Sequence, residues 1–130
     1  MLDSGAVTKV AFADLLACSI VEDLSRRGWS VCIPAVTLAE VITGSPRTDA
    51  AVERLVNRVA NTIVCGEALA KAAGILRTGS RRPNQASPSG IDAIVAAVAA
   101  GNQPSIVLTT DADDMGKLLA SAGAATVIRV

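Results

Sequence analysis

The chain of 130 residues contains no histidine and no tyrosine, and its only aromatic residues are Phe12 and Trp29. Without an imidazole, the chain cannot build a Ser-His-Asp triad, a histidine general base or a histidine-ligated zinc site. The formal net charge is zero and the pI is about 6.2, so the basic excess and the stacking aromatics of general nucleic-acid binders are missing. Any hydrolytic chemistry must therefore use other groups, and any nucleic acid must be gripped locally.

The cysteines and the apolar runs indicate a cellular compartment. Cys18, Cys32 and Cys65 are odd in number, widely spaced and set in apolar runs without a C-x-x-C pair, which favours reduced core thiols over a redox role. Met1 leads straight towards an acidic residue, and the longest apolar stretch, at residues 94–100, is too short to span a bilayer. We therefore expect a cytoplasmic protein without a signal peptide or membrane contact.

The length and the hydrophobic content of 51% predict one domain over residues 1–130. Short β-rich runs predict strands that end at Asp3 and that cover residues 30–33, 62–65, 106–109 and 126–130. Amphipathic or apolar stretches predict helices at residues 7–27, 37–44, 48–60, 67–77, 91–100 and 114–122. Because strands separated by helices pair in parallel through right-handed crossovers, we expect an α/β fold: a three-layer α/β/α sandwich with a mainly parallel central sheet.

Acidic residues stand where the predicted strands end and the predicted helices begin. Asp3 ends the first strand, Asp111 follows the strand at residues 106–109, and Glu40 and Asp92 begin helices. Since parallel sheets bind ligands at the carboxyl ends of their strands, we expect these carboxylates to share one rim. There they would repel one another unless a cation neutralised them, and oxygen ligands suit Mg²⁺ or Mn²⁺. Such an ion supports phosphodiester hydrolysis without histidine.

Each acid also has a purely structural explanation. Glu40 lies three positions after Thr37, which is the spacing of a capping box. Asp92 would complement a helix dipole, Asp3 would suit a turn, and residues 111–114 would suit a solvated turn with an N-cap. The remaining acids have the spacing of solvated helix faces: Asp14, Glu22, Asp23, Asp49, Glu53 and Glu67. The metal-site hypothesis therefore depends on the four acids meeting at one rim.

Four segments resemble a known family in order, acid type and spacing. They are Leu-Asp-Ser-Gly-Ala-Val at residues 2–7, Leu-Ala-Glu-Val at 38–41, Ile-Asp-Ala-Ile-Val-Ala-Ala at 91–97, and Val-Leu-Thr-Thr-Asp-Ala-Asp-Asp-Met at 107–115. Together they resemble PIN domains, and more narrowly the VapC toxins of bacterial toxin–antitoxin pairs. The resemblance covers nearly the whole chain.

The resemblance implies a Mg²⁺- or Mn²⁺-dependent endoribonuclease whose catalytic metal ligands are Asp3, Glu40, Asp92 and Asp111. Asp114 would be the auxiliary metal acid rather than Asp113, because it directly precedes the apolar Met115. Thr109 would support Asp111 by hydrogen bonding. The resemblance further implies the strand order 3-2-1-4-5, a homodimer, a cognate antitoxin that blocks the enzyme, and a structured RNA target such as transfer RNA.

The chain departs from the family's pattern in two respects. Only two residues precede Asp3, so either the first strand is short or the natural chain begins earlier. The low basic charge leaves four weak candidates for RNA phosphate contacts, each of which suits a solvated surface equally well: Lys9, Arg47, Arg81 and Arg82.

Three other classes of protein compete with this interpretation. A haloacid-dehalogenase-type phosphatase needs an Asp two residues after the first, where this chain has Gly5. A response-regulator receiver needs an acid at the end of the third strand and a Lys at the last one, where this chain has Cys65-Gly66 and Arg129. The remaining alternative is a catalytically silent PIN-like module that binds RNA or a protein partner.

Overall fold

The computed structural model describes residues 1–59, 61–81, 86–120, 122 and 125–130, which form a mixed α/β domain in which helices dominate. The described helices are α1 (Ser4–Ala11), α2 (Leu15–Arg26), α3 (Leu38–Val41), α4 (Pro46–Val59), α5 (Glu67–Gly79), α6 (Gly90–Gly101) and α7 (Ala112–Ala120). A 3₁₀ turn over Ala35–Thr37 leads into α3. The described strands are β1 (Ile33–Pro34), β2 (Thr62–Ile63), β3 (Ser105–Thr109) and β4 (Ala125–Arg129).

The described strands form two parallel pairs, β1 with β2 and β3 with β4. Leu2 lies between the pairs: it forms a parallel bridge with Leu108 of β3, and its amide donates to the Cys32 carbonyl at 3.0 Å. The Asp3 amide also donates to the Leu108 carbonyl, at 3.2 Å. The predicted first strand is therefore reduced to a short segment that hydrogen-bonds to chain on both of its sides.

Apolar side chains pack on both faces of β3. Val107 belongs to a cluster with residues of α5, α6 and α7, whereas Leu108 belongs to a cluster with Leu2, β1 and residues of α1, α2 and α4. Because successive side chains of a strand point to opposite faces, these clusters lie on opposite sides of β3. The helix predicted at residues 91–100 is α6, an Ala/Val-rich helix that lies in the core, and its buried residues are Ala93, Val95, Ala96, Ala97, Val98 and Ala99.

The prediction of one helix over residues 7–27 is wrong. The segment forms α1 and α2, which meet at a bend of 99°. Ala13 at the bend has a positive φ of 58°, and the Asp14 side chain accepts a hydrogen bond from the Ala17 amide at 3.0 Å, so Asp14 is the N-cap of a new helix. Gly28, with a φ of 86°, follows α2 directly after the predicted helix end at residue 27.

Other boundaries differ by a few residues. The predicted strands at 30–33 and 62–65 shorten to Ile33–Pro34 and Thr62–Ile63, because these residues alone pair with each other. The predicted helix at 114–122 begins earlier, at Ala112, because the Asp111 side chain caps it. The predicted helix at 37–44 is a 3₁₀ turn followed by one turn of α-helix.

The three cysteines are free thiols, as predicted, but they are half-buried rather than part of the core. Among the described residues no single helix is long and apolar enough to cross a membrane. Only α1 and α2 taken together meet that test, by length and composition alone.

Candidate metal centre

Asp3 is a buried carboxylate at the point where the Leu2 bridge ends and α1 begins. Its side chain is 4% exposed, and its Oδ1 accepts a hydrogen bond from the Ala6 amide at 2.7 Å, which makes Asp3 the N-cap of α1. The Thr109 hydroxyl and the Thr110 amide also donate to it. In the described part of the chain, no lysine or arginine forms an ion pair with this carboxylate.

The pKa of Asp3 depends on its burial, on its hydrogen bonds and on the charge of a second carboxylate, that of Asp92. Burial raises the pKa of the Asp3 carboxyl above its usual value, because the charged form loses its contact with water. The hydrogen bonds from Thr109, Ala6 and Thr110 lower this pKa in part, and the negative charge of Asp92 raises it further. Asp92 is half-buried in the first turn of α6, where its amide donates to the Ser89 side chain at 2.9 Å.

Thr109 connects Asp3 with Asp111. Its side chain is fully buried at the end of β3, and its Oγ1 accepts a hydrogen bond from the Asp111 amide at 2.9 Å while the hydroxyl donates to Asp3. The expected contact between Thr109 and Asp111 is therefore present, through the backbone of Asp111 rather than through its carboxylate. One hydroxyl thus orients the start of α1 and the end of β3.

Asp111 and the two acids after it have partners of their own. The Asp111 Oδ1 accepts from the Asp114 amide at 3.1 Å, so the N-cap considered for this turn is present. Asp114 pairs with Lys117 at 2.6 Å, and Asp113 pairs with Arg129 at 3.2 Å. Asp111 therefore has a structural role whether or not it also holds a cation.

Glu40 is exposed on α3, and its structural explanation is wrong. The Thr37 hydroxyl donates to the Pro34 carbonyl at 2.8 Å, and Thr37 makes no side-chain cap bond, so no capping box forms. Within the described ranges Glu40 has no hydrogen bond or ion pair through its carboxylate, and α3 packs against α1. Among the described residues, the Glu40 carboxylate therefore makes no contact that stabilises the fold. It lies on α3, which packs against α1, the helix that Asp3 caps.

The described residues contain no group of three Asp, Glu or Cys side chains arranged as a ready-made cation site. What the structure brings together is smaller: Asp92 interacts electrostatically with Asp3, and Asp111 is joined to Asp3 through Thr109. Mg²⁺ keeps several waters and is usually held by one or two carboxylates together with substrate phosphates. The oxygen donors present fit such an ion.

The candidate RNA-contact residues are scattered. Lys9 is half-buried in the last turn of α1, at the other end of that helix from Asp3. Arg47 is exposed at the start of α4, and Arg81 is exposed with its Nε donating to the Ser87 hydroxyl at 3.1 Å. Arg82 lies outside the described residues.

Gly5 was missed as a residue that shapes the site. A Cβ at Gly5 would overlap the side chain of Thr110, so only glycine allows α1 to approach the end of β3 this closely. The local signal was the Asp-Ser-Gly sequence, which shows that a glycine sits in the first turn of a helix but not what it contacts. Lys117 was also missed, although its spacing of three residues from Asp114 is that of a helical ion pair.

A groove of about 750 Å³ lies away from these carboxylates. Its apolar lining includes Val10, Val21, Leu55 and Val59, and its polar lining includes Glu22, Arg26, Arg54 and Arg58. None of the three arginines forms an ion pair within the described residues. The groove is lined by the C-terminal end of α1, whereas Asp3 caps the N-terminal end of the same helix.

Comparison of the chain with protein-family models, with curated proteins and with solved structures finds no match in any of the three. The likeness to PIN domains therefore rests on the four segments of the sequence quoted above.

We expect Gly5→Ala to destabilise the domain by about 1–3 kcal/mol, because overpacking a tight contact forces neighbouring atoms to move. Adding Thr110→Ala should recover much of this loss by removing the overlapped atoms. Gly74→Ala in α5, where a Cβ meets open space, is the matched control and should stabilise by up to about 1 kcal/mol. Urea unfolding measures all four proteins, and a Gly5→Ala variant as stable as wild type would contradict the close approach.

The raised pKa of Asp3 predicts a pH-dependent stability. Because the folded-state pKa lies above the unfolded value near 3.8, the charged carboxylate opposes folding, and this cost grows as the pH rises from about 3.8 through the folded pKa. Asp3→Asn keeps an N-cap side chain and should raise the free energy of unfolding at pH 7, with the gain disappearing below pH 3.8. Asp14→Asn, at the N-cap of α2, is the control for losing one cap charge. Equal pH profiles for Asp3→Asn and wild type in urea unfolding would contradict the prediction.

Proposed function

We propose that this chain is a PIN-like endoribonuclease that uses Mg²⁺ or Mn²⁺ held by Asp3, Asp92, Asp111 and Glu40. The observation that carries the proposal is the Asp3 carboxylate, which is 4% exposed and lies near the charge of Asp92. A second negative charge near a buried carboxylate lowers the stability of the fold, unless a bound positive charge compensates for the repulsion. A divalent cation bound there would offset the cost of burying the Asp3 charge and the repulsion between the carboxylates of Asp3 and Asp92.

The proposed fold is a three-layer sandwich around one five-stranded parallel sheet. The Leu2 amide donates to the carbonyl of Cys32, the residue before β1, and Leu2 bridges to Leu108 of β3, so counting the Leu2 segment as the first strand gives the order 3-2-1-4-5. This is the strand order that the resemblance implies. Helix packing on both faces of β3 supports the two outer layers.

The residues of the chain have separate parts in the proposed site. A bound Mg²⁺ or Mn²⁺ supplies Lewis acidity and neutralises phosphate charge in phosphodiester hydrolysis. Thr109 orients the Asp3 carboxylate by donating to it, and the Ser89 cap of α6 holds Asp92 at the start of its helix. Glu40 would add a further oxygen from α3, and Asp114 would act as the auxiliary acid. RNA as the substrate, and a role as a toxin in the cytoplasm, are supported by the likeness to VapC toxins alone.

A second candidate function, protein binding, is supported by the groove between α2 and α4. Its apolar lining and its three arginines without ion pairs among the described residues suit an amphipathic helix with acidic residues along its edges. Phe12, Leu15 and Leu16 are exposed large apolar residues at the adjoining bend between α1 and α2. In a toxin–antitoxin pair the occupant would be the cognate antitoxin, and this function is compatible with nuclease activity. The homodimer that the resemblance implies stays a prediction.

The nuclease proposal predicts that Asp3→Asn and Asp92→Asn each lower RNA cleavage at least about 100-fold, because they remove ligands rather than supporting groups. The measurement is cleavage of a structured RNA with and without Mg²⁺ or Mn²⁺, together with the melting temperature across a titration of each ion. Asp23→Asn on α2, whose carboxylate pairs with Arg27, is the control and should cleave normally.

Cleavage retained in either site variant would reject the assignment of these carboxylates. A wild-type protein that neither cleaves RNA nor gains melting temperature from either ion would reject the metal-dependent nuclease and leave the binding function as the remaining proposal.

We expect the affinity of an acidic partner for the groove to depend on the charge of the groove's arginines. Reversing two exposed rim arginines, Arg54→Glu with Arg58→Glu, should weaken binding of an acidic partner at least about tenfold, since two attractive contacts become repulsive. The measurement is titration with an amphipathic helical peptide that carries acidic residues along its edges, the class of occupant that the groove suits. Lys71→Glu on α5, which is exposed and lies outside the groove, is the control. Equal affinity of the double variant and the control would exclude this groove as the binding surface.

A further inference from the structure

Lys117 holds an acid next to the proposed metal centre. Its Nζ lies 2.6 Å from Oδ1 of Asp114, and the Asp114 amide donates to the Asp111 side chain at 3.1 Å. Lys117 is therefore connected to Asp111 through a single residue. Asp114 itself lies in the first turn of α7, the helix that the Asp111 side chain caps.

This pair is the least exposed of the ion pairs in the described part of the chain. The Lys117 and Asp114 side chains are 35% and 36% exposed, compared with 69% and 48% for Arg27 and Asp23. The Lys71–Glu67 and Arg129–Asp113 pairs are more exposed still. Partial burial weakens screening by solvent, so the Lys117 charge acts more strongly on its surroundings than the other three cations do.

We propose that Lys117 is an internal counter-ion, whose ammonium occupies Asp114 in the absence of a divalent cation and competes with that cation for the same carboxylate. The inference rests on the proposed function, because it takes Asp114 as the auxiliary acid of the metal centre. The ammonium neutralises one of the clustered acids and so stabilises the metal-free protein. It also repels an incoming cation and must give up its short contact when Asp114 turns towards the metal.

The proposal predicts two effects of opposite sign for Lys117→Met, which keeps the aliphatic stem and removes the charge. The variant should melt at a lower temperature than wild type in EDTA, because Asp114 loses its partner. It should also reach its half-maximal Mn²⁺-induced rise in melting temperature at about threefold lower Mn²⁺ concentration, the size expected for a partly exposed ion pair. A lysine with a merely structural role would produce the first effect without the second.

The experiment is a thermal unfolding titration with Mn²⁺ on the full chain, which reports binding without depending on cleavage. Lys71→Met is the matched control, since it removes a lysine from a helical pair on α5, and its Mn²⁺ midpoint should equal that of wild type. Asp114→Asn supplies the second test: in that background Lys117→Met should no longer move the midpoint, because the carboxylate that they share is gone.

The outcomes separate this inference from the proposed function. A wild-type protein that gains no melting temperature from Mn²⁺ overturns the metal centre and the counter-ion together. A wild type that responds to Mn²⁺, with a Lys117→Met midpoint that is unchanged or higher, overturns the counter-ion alone. A lower midpoint that persists in the Asp114→Asn background shows that Lys117 acts through general charge, and it likewise overturns the competition for Asp114.

Discussion

The carboxylate of Asp3 is buried at a junction on which several parts of the molecule depend. Its backbone amide ties the start of the chain to β3 through Leu108, and its side chain caps α1. The hydrogen bonds from Ala6, Thr109 and Thr110 make a buried charge tolerable, although burial and the neighbouring Asp92 still raise its pKa. The group that organises the fold at this point is thus also a carboxylate whose charged form is disfavoured by burial and by a neighbouring charge. In the function that we propose, a cation turns that cost into a binding site.

Three consecutive residues of β3 make three different kinds of contact. Val107 and Leu108 enter separate apolar clusters on its two faces, and the next residue, Thr109, has a hydroxyl that links Asp3 with Asp111. The strand is anchored by apolar packing up to the residue at which the polar network begins. Rigid packing behind a polar site limits the movement of its hydrogen-bonding groups, which favours a preformed arrangement.

The zero net charge of the chain conceals an uneven distribution. Buried and half-buried carboxylates lie near the N-terminal end of α1, and arginines without described ion pairs line a groove at its C-terminal end. Carboxylates thus lie at one end of a helix of eight residues, which is about 12 Å long, and three arginines with one glutamate, Glu22, line the groove at the other end. A cation at one end and an acidic partner at the other would each meet a complementary charge.

Local patterns in the sequence were sufficient for features that depend on neighbouring residues. The alternation of strands and helices, the buried helix α6, and the positions of Asp3 and Asp111 at the ends of strands follow from periodicity and from the residues that begin and end such elements. The bend at Ala13 was not predictable in this way, because the apolar rhythm continues through both helices and only the cap at Asp14 marks the break. The missing capping box at Thr37 was not predictable either, because the Thr37 hydroxyl donates to the Pro34 carbonyl instead of capping the helix that carries Glu40.

Contacts between residues far apart in the chain were decided only by the tertiary structure. The fit of Gly5 against Thr110, the hydroxyl of Thr109 that reaches Asp3, and the charge of Asp92 beside it all require α1, β3 and α6 to be packed together. The sequence by itself determined which residue types are available for chemistry: carboxylates at strand ends and no histidine at all. Their distances and burial were decided by how the helices pack on the two faces of β3, since a residue's charge is chemically useful or merely solvated according to what surrounds it.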